Sequence, residues 1–274
     1  MKAVQIQFVP WDKKYNFDPA DLAVKIGDQV IVKTELGVEL GKAVGFIDLP
    51  ETEPPAGTEP VEVKKIIRLA APADSEKLPG AKQKQIDFGY CKDLIAKYRL
   101  AMKLVDIHYS FDESKITFPF IAETRIDFRE LVKDLTKHFG RNIRLQQIGI
   151  RDEARHCGDF GHCGRPLCCG QFLGELSSIT SEMAEVQQCV HRGSDRISGI
   201  CGRLMCCLSF EEQGYKKMAE KLPALDSEVR VDGKKGRVVA HHILKQTVGV
   251  FFSGRNGEGG EVVEVEVGRI HPVR

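Results

Sequence analysis

Residues 102–122 read MKLVDIHYSFDESKITFPFIA, and after a short break the chain continues from Asp127 as DFRELVKDLTKHFG and from Asn142 as NIRLQQIGI. Met102 to Phe111 and Lys115 to Ala122 are apolar runs on either side of Asp112-Glu113-Ser114, a pattern that predicts a hairpin. From Asp127 to Phe139 the apolar residues recur at helical spacing and stop at Gly140, as a helix with a glycine terminator should. Ile143 to Ile150 then reads as a strand. Upstream, Val63 to Leu69 reads as another strand. Asp74 to Leu100 carries Ile86, Tyr90, Leu94, Ile95 and Tyr98 at helical spacing behind a cap at Asp74 or Ser75. The order β-α-β-β-α-β over residues 61–150 predicts an α+β domain of the ferredoxin-like, split βαβ type, with an antiparallel sheet. That name describes a topology and carries no iron.

Working outward, residues 1–55 alternate short apolar runs with turns and predict a small N-terminal β unit: Val4 to Val9, Gln29 to Thr34 and Val38 to Ile47. Glu51 to Pro60 is rich in proline, glutamate and threonine and reads as a linker. Residues 151–222 are dominated by glycine and cysteine, with helical patches at Ile179 to Val190 and Leu204 to Leu222, and hold little apolar material of their own. Such a segment leans on a metal for order. Residues 223–274 return to strands at Glu228 to Val231, Gly236 to Ala240, Thr247 to Phe252 and Val262 to Val267. With turns at Asp232-Gly233 and Arg255-Asn256-Gly257, they predict a small C-terminal β-barrel.

The chain has 274 residues, enough for two or three such units. Forty Lys plus Arg stand against 39 Asp plus Glu, so no overall field points to nucleic acid or to an anionic membrane. No segment approaches the roughly 20 apolar residues of a membrane span, and the start lacks a secretory pattern, so a cytoplasmic protein is expected.

Nine cysteines are present, and six of them form two copies in register: Cys163-Gly-Arg-Pro-Leu-Cys168-Cys169 and Cys201-Gly-Arg-Leu-Met-Cys206-Cys207. Clustered cysteines in a reducing compartment point to metal or catalysis rather than to disulfides. A helix starting after each Gly-Arg would place the later cysteines in its first turns. There backbone N–H groups, the helix dipole and Arg165 or Arg203 would favour thiolates. One outer and one helical cysteine from each copy, Cys163, Cys168, Cys201 and Cys206, would form a four-thiolate site. Four residues between the first two cysteines is at the edge of the zinc habit and matches plant-type iron–sulfur spacing. An iron–sulfur cluster is therefore expected, with zinc as the alternative and a metal-free, redox-active thiol site as a third reading.

Adjacent helical residues point about 100° apart, so Cys169 and Cys207 are candidates for a second site or one shared with a partner chain. Cys157, with His156 and His162, precedes the first copy and could add ligands. Cys91 and Cys189 lie on apolar helical faces and read as small core residues. Gly158, Gly161 and Gly164 lack the surroundings of a phosphate-binding loop. No Ser-His-Asp elbow, HExxH or kinase motif is present, so no enzyme is expected. Lys234, Lys235 and Arg237, with Arg230 and Lys245, suggest a basic face near Phe251 and Phe252 that could touch RNA; the plain alternative is a solvated hairpin.

Several stretches are similar to a known family. Val63-Lys-Lys-Ile-Ile-Arg-Leu-Ala, Met102-Lys-Leu-Val-Asp, Tyr109-Ser-Phe-Asp, Asp127-Phe-Arg-Glu-Leu-Val-Lys-Asp-Leu and Gln147-Ile-Gly-Ile-Arg-Asp-Glu-Ala resemble the YaaT or RicT family of bacterial sporulation regulators. Its central domain gives its name to a yeast DNA-polymerase suppressor. Ile197-Ser-Gly-Ile-Cys-Gly-Arg-Leu-Met-Cys-Cys-Leu resembles the family's second cysteine motif almost letter for letter. The resemblance implies a non-catalytic adaptor that joins RicA-like and RicF-like partners in a complex carrying 4Fe-4S clusters. That complex assists RNase Y in messenger RNA maturation and influences phosphorelay signalling. Cys163, Cys168, Cys201 and Cys206 become cluster ligands by the same resemblance, and Cys169 or Cys207 contributors to a shared cluster. His156, Cys157 and His162 depart from the expected lead-in and leave an altered ligand set open.

Overall fold

The computed structural model describes residues 2–35, 37–49, 63–174, 176–189, 193–253 and 259–272. The chain divides into two compact units, one running to Phe160 and the other from Gly161. The expected linker at Glu51 to Pro60 and the turn at Arg255-Asn256-Gly257 lie outside the described residues.

The first unit opens with a five-stranded antiparallel sheet. Its strands are β1 (Lys2–Gln7), β2 (Tyr15–Phe17), β3 (Gln29–Thr34), β4 (Gly37–Asp48) and β5 (Ile66–Leu69), in the spatial order β2-β1-β4-β3-β5. Val4, Ile6, Phe17, Val30, Val32, Ala43 and Ile66 close its core. Here the ferredoxin-like expectation is corrected. Residues 66–69, meant as the first strand of that domain, pair antiparallel with β3 instead. The reason is local: of the four residues only Ile66 is buried, and it packs into the N-terminal core. Arg68, in turn, holds Asp74 at 2.6 Å.

The expected long helix is two pieces, α1 (Pro72–Lys77) and α2 (Ala81–Lys97), broken at Pro79-Gly80. Proline cannot donate to a helix and glycine is a weak helix former, so the break is dictated locally. Beyond it stand β6 (Lys103–Leu104), β7 (His108–Tyr109), β8 (Lys115–Ile121), α3 (Arg129–Phe139) and β9 (Asn142–Gln147). β6 and β7 are both antiparallel to β8, but their registers differ by one residue. The slip lies opposite Pro119, whose carbonyl accepts from the Val105 amide at 3.0 Å. With no N–H to offer on that side, Pro119 favours a bulge there. On its other side β8 pairs parallel with β9 across the α3 crossover, so the sheet is mixed and not antiparallel throughout. Ile116 and Phe118 meet Leu94 and Ile95 of α2 and Leu131 and Leu135 of α3 in one core. Burial of each leucine contributes roughly 1.5–3 kcal/mol.

Sequence reading missed α4 (Ile150–Cys157), which follows directly. Asp152 caps it by accepting from the Gly149 amide at 3.1 Å. Arg155 ties it back to the N-terminal sheet by donating to the Trp11 carbonyl at 2.9 Å.

The second unit joins the cysteine-rich segment and the tail. It contains α5 (Ser181–Val186), α6 (Ser194–Ile197), α7 (Cys206–Ala219), and strands β10 (Glu228–Val231), β11 (Lys234–His242), β12 (Thr247–Ser253), β13 (Gly260–Glu266) and β14 (Ile270–Pro272). The strands form one antiparallel sheet ordered β13-β12-β11-β10-β14. Among the described residues no ladder joins β13 to β14, so hydrogen bonds do not close the expected barrel. Tyr215, Met218 and Ala219 of α7, with Leu222, pack on this sheet's valine core. The helix that begins at Cys206 is thereby fixed to the tail.

Candidate metal centre

The two cysteine copies form the same turn twice. In the first, the Gly161 amide donates to the Arg165 carbonyl at 2.8 Å and the Gly164 amide to Gly161 at 2.9 Å. In the second, Gly199 donates to Arg203 at 2.8 Å and Gly202 to Gly199 at 2.9 Å. Gly164 and Gly202 take φ of +75° and +74°, the left-handed region that glycine enters without strain. A Cβ on Gly161 or Gly199 would stand 3.6 or 3.7 Å from the sulfur of Cys163 or Cys201. A side chain at either position would meet that sulfur in ordinary van der Waals contact.

Each turn ends at its second cysteine. Leu167 and Met205 occupy the same backbone region, with ψ of 125° and 134°. A helical turn then starts at Cys168 in one copy and at Cys206 in the other. The helices therefore begin two residues later than expected after Gly-Arg. The first copy makes only a 3₁₀ turn, Cys168–Gly170, where the second has leucine in place of glycine and continues as α7. The repeat extends beyond the cysteines on both sides. Gly161 matches Gly199 and Phe172 matches Phe210 at the same spacing as the cysteines, a signal present in the sequence and overlooked.

Contacts join the copies. The 3₁₀ turn packs against α7, the His162 ring nitrogen Nε2 donates to the Ser198 carbonyl at 3.2 Å, and Phe172 meets Phe210 at 5.2 Å. The thiols of Cys206 and Cys207 are both pushed up, first by burial and then by the nearby thiol of Cys168; Cys169 acts further on Cys206, and Cys163 on Cys207. Arg165 and Arg203 are both exposed. Cys169 is buried while Cys168 beside it is half-exposed, as their angular separation requires.

All nine cysteines are free thiols. Among the described residues no group of three or more His, Cys, Asp or Glu side chains is arranged to hold a metal ion. The donor chemistry nonetheless suits a soft metal. The turns bring Cys168 within electrostatic reach of both Cys206 and Cys207, Cys169 within reach of Cys206 and Cys163 within reach of Cys207. A soft metal held by these cysteines would bind them as thiolates.

Other candidates fall elsewhere. Cys157 is exposed at the end of α4 in the first unit. His156, beside it, stands 3.8 Å from Asp106. Cys91 is fully buried on α2 and burial pushes its thiol up to about 12. Cys189 is half-buried, its thiol donating to the Gln187 carbonyl at 3.2 Å. Lys234, Lys235 and Arg237 are exposed on β11, but alternation puts Lys235 and Arg237 on one face and Lys234 on the other. Glu228 stands opposite Arg237, and Lys245 is paired with Glu264 at 3.3 Å. The basic face is thus narrower than the sequence implied.

Fold and site together define a two-unit α+β protein with a duplicated, closely packed cysteine turn. The family described as PSP1 C-terminal conserved region matches residues 64–148, and PSP1-like protein, third domain, matches residues 178–222. Stage 0 sporulation protein YaaT of Bacillus subtilis is 37% identical over 253 residues, covering 92% of this chain and 90% of that protein. An uncharacterized protein of Schizosaccharomyces pombe is 27% identical over 157 residues, covering 48% of this chain and 21% of its own length. Protein PSP1 of Saccharomyces cerevisiae is 38% identical over 53 residues, covering 19% of this chain and 6% of its own. No solved structure matches significantly. The chain belongs to the YaaT family. The first matched region begins one residue after Val63 and includes β5, whose partner strand β3 lies outside it. Among the described residues no helix is long and apolar enough to cross a membrane.

Proposed function

We propose that this chain is a non-catalytic regulatory adaptor of the sporulation-protein type, in which the paired cysteine turns carry an iron–sulfur cluster. The observation that carries this reading is the duplication of one glycine-pinned turn, hydrogen bond for hydrogen bond, with the second turn's helix packed on the first turn's 3₁₀ segment. Two identical loops that each offer an outer thiol and a helix-start thiol are a means of gathering soft ligands from one chain. Cys163, Cys168, Cys201 and Cys206 are the proposed ligands, with Cys169 and Cys207 available to a cluster shared with another protein. When bound, the cluster would supply a redox- and iron-sensitive staple; the chain's own residues hold the turns and present the surrounding surface.

The same reading extends to partners: RicA-like and RicF-like proteins in a cytoplasmic complex that assists RNase Y in maturing messenger RNA. Its test is anaerobic co-purification of the wild-type chain and of Cys206→Ser with both partners. A complex that forms with wild type and is lost with Cys206→Ser supports the adaptor. A complex indifferent to the cysteines, or none with the wild-type chain, contradicts it. The second reading, a zinc-stabilised nucleic-acid-binding module, uses the same thiols and is favoured by the turn's compactness; zinc without sulfide would select it.

A further inference from the structure

We propose that a cleft in the first unit, independent of the cysteine turns, binds a nucleotide, with the base against Phe8 and Tyr15 and the phosphate on Arg144 and Lys14. The cleft encloses about 570 Å³ between the N-terminal sheet and the mixed sheet, within the usual range for small-molecule sites. Its floor is a row of three side chains in register across β7, β8 and β9: His108, Thr117 and Arg144. They share the face of the mixed sheet opposite to Ile116 and Phe118, which are turned into the helix-covered core. The wall is aromatic. Phe8 and Tyr15 stand 5.4 Å apart, with Phe17 buried behind Phe8 at 6.3 Å.

Charge in the cleft decides what it would take. Each acidic group lining it already has a donor: Glu39 is 3.0 Å from His108, Glu35 is 3.6 Å from Lys64, and Asp12 accepts from the Tyr15 hydroxyl at 3.1 Å. Of the cations lining it, three lack a carboxylate among the described residues: Lys13, whose ammonium lies over one face of the Tyr15 ring at 5.1 Å, Arg144 and Lys14. Among the described residues the side chains of Arg144 and Lys14, both half-buried, make no hydrogen bond or ion pair. A guanidinium removed in part from water and lacking a carboxylate is a ready site for an anion, and its planar fork fits two phosphate oxygens. A flanking aromatic wall adds a surface on which a base can stack. An anion alone would leave that wall unused, and an apolar ring alone would leave the cations unmatched. A nucleotide satisfies both. The same chemistry is offered by a free nucleotide and by one residue of single-stranded RNA.

The chain's one tryptophan, Trp11, lines this cleft and donates its indole N–H to Asp106 at 3.0 Å. Its single indole signal in a ¹⁵N–¹H spectrum of the full chain therefore reports on the cleft. Titration with AMP should move the signal, and inorganic phosphate should move it only at concentrations at least about tenfold higher. Arg144→Gln should weaken AMP binding about tenfold, and Tyr15→Leu should weaken AMP without changing the response to phosphate. A hexaadenylate acting at lower concentration than AMP assigns the site to RNA; equal or weaker action assigns it to free nucleotides. The proposal is overturned if none of the probes moves the signal, if phosphate matches AMP, or if well-dispersed Arg144→Gln and Tyr15→Leu proteins bind AMP as wild type does.

Discussion

Phe172 and Phe210 meet edge to face, with ring centroids 5.2 Å apart and planes at 72°, and each stands three residues beyond the adjacent cysteine pair of its own copy. Both are exposed, at 64% and 61%, so the contact is made by the copies packing together and not by a surrounding core. Edge-to-face pairs contribute about 0.5–1.5 kcal/mol beyond burial, and the low end suits an exposed pair. A double-mutant cycle of Phe172→Ala and Phe210→Ala, read by urea unfolding, should give a coupling near 0.5 kcal/mol. Strict additivity would mean that the rings do not hold the copies together.

The turns themselves depend on their second glycine. Nothing lies within 4 Å of a Cβ built on Gly164 or Gly202, so alanine there meets no clash and suffers only the left-handed backbone. That strain costs about 1–2 kcal/mol per site. Gly202→Ala should lower stability by this amount and Gly202→Asn by less, since asparagine tolerates the region. Equal stability of all three proteins would show that the turn relaxes to another conformation.

Acid should loosen the first unit through Asp112. Burial pushes its carboxyl up, but hydrogen bonds from Ser110, Ser114 and the Val38 amide outweigh this and hold it at about 2. The unfolded value is near 3.9. A carboxyl depressed in the folded state contributes stability that is complete above the unfolded value and is lost as pH falls through the folded one. The destabilisation caused by Asp112→Asn should therefore be largest at neutral pH and shrink between pH 4 and pH 2 on the scale set by those values. A pH-independent difference would place the effect in packing instead.

Cys91 is the internal control for thiol reactivity. Fully buried and pushed up to about 12, it should resist iodoacetamide at neutral pH in the folded protein and react once urea unfolds it. Cys91→Ser buries a hydroxyl in an apolar site and should cost about 1–3 kcal/mol. Rapid alkylation of native Cys91 would contradict the burial.

Much of this was legible in the sequence where local pattern and tertiary role agree. The stripe of Leu131 and Leu135, the Gly140 stop and the alternation in β3 and β4 each mark an element whose buried face is continuous. Pairing partners were harder to read. Ile66–Leu69 has a strand pattern, but nothing in four residues says whether β3 or β9 will receive it; the open edge of β3 and the burial of Ile66 decide. The helix α4 was passed over because no residue in it is buried, leaving only its Asp152 cap and terminal charges as signals. At the site, the cysteine repeat was plain, while the role of Gly161 and Gly199 was not. Their amides pin each turn by donating to the Arg165 or Arg203 carbonyl, which only the folded turn displays.

The central claim is that the paired turns gather thiolates for a cluster, and metal content tests it most directly. Protein prepared without oxygen should be brown and contain iron and acid-labile sulfide in near-equal amounts. Cys206→Ser and Cys201→Ser should lose both together, while Cys91→Ser keeps both. Wild-type protein with neither iron nor sulfide, or a Cys206→Ser protein with the full content of each, would contradict the account.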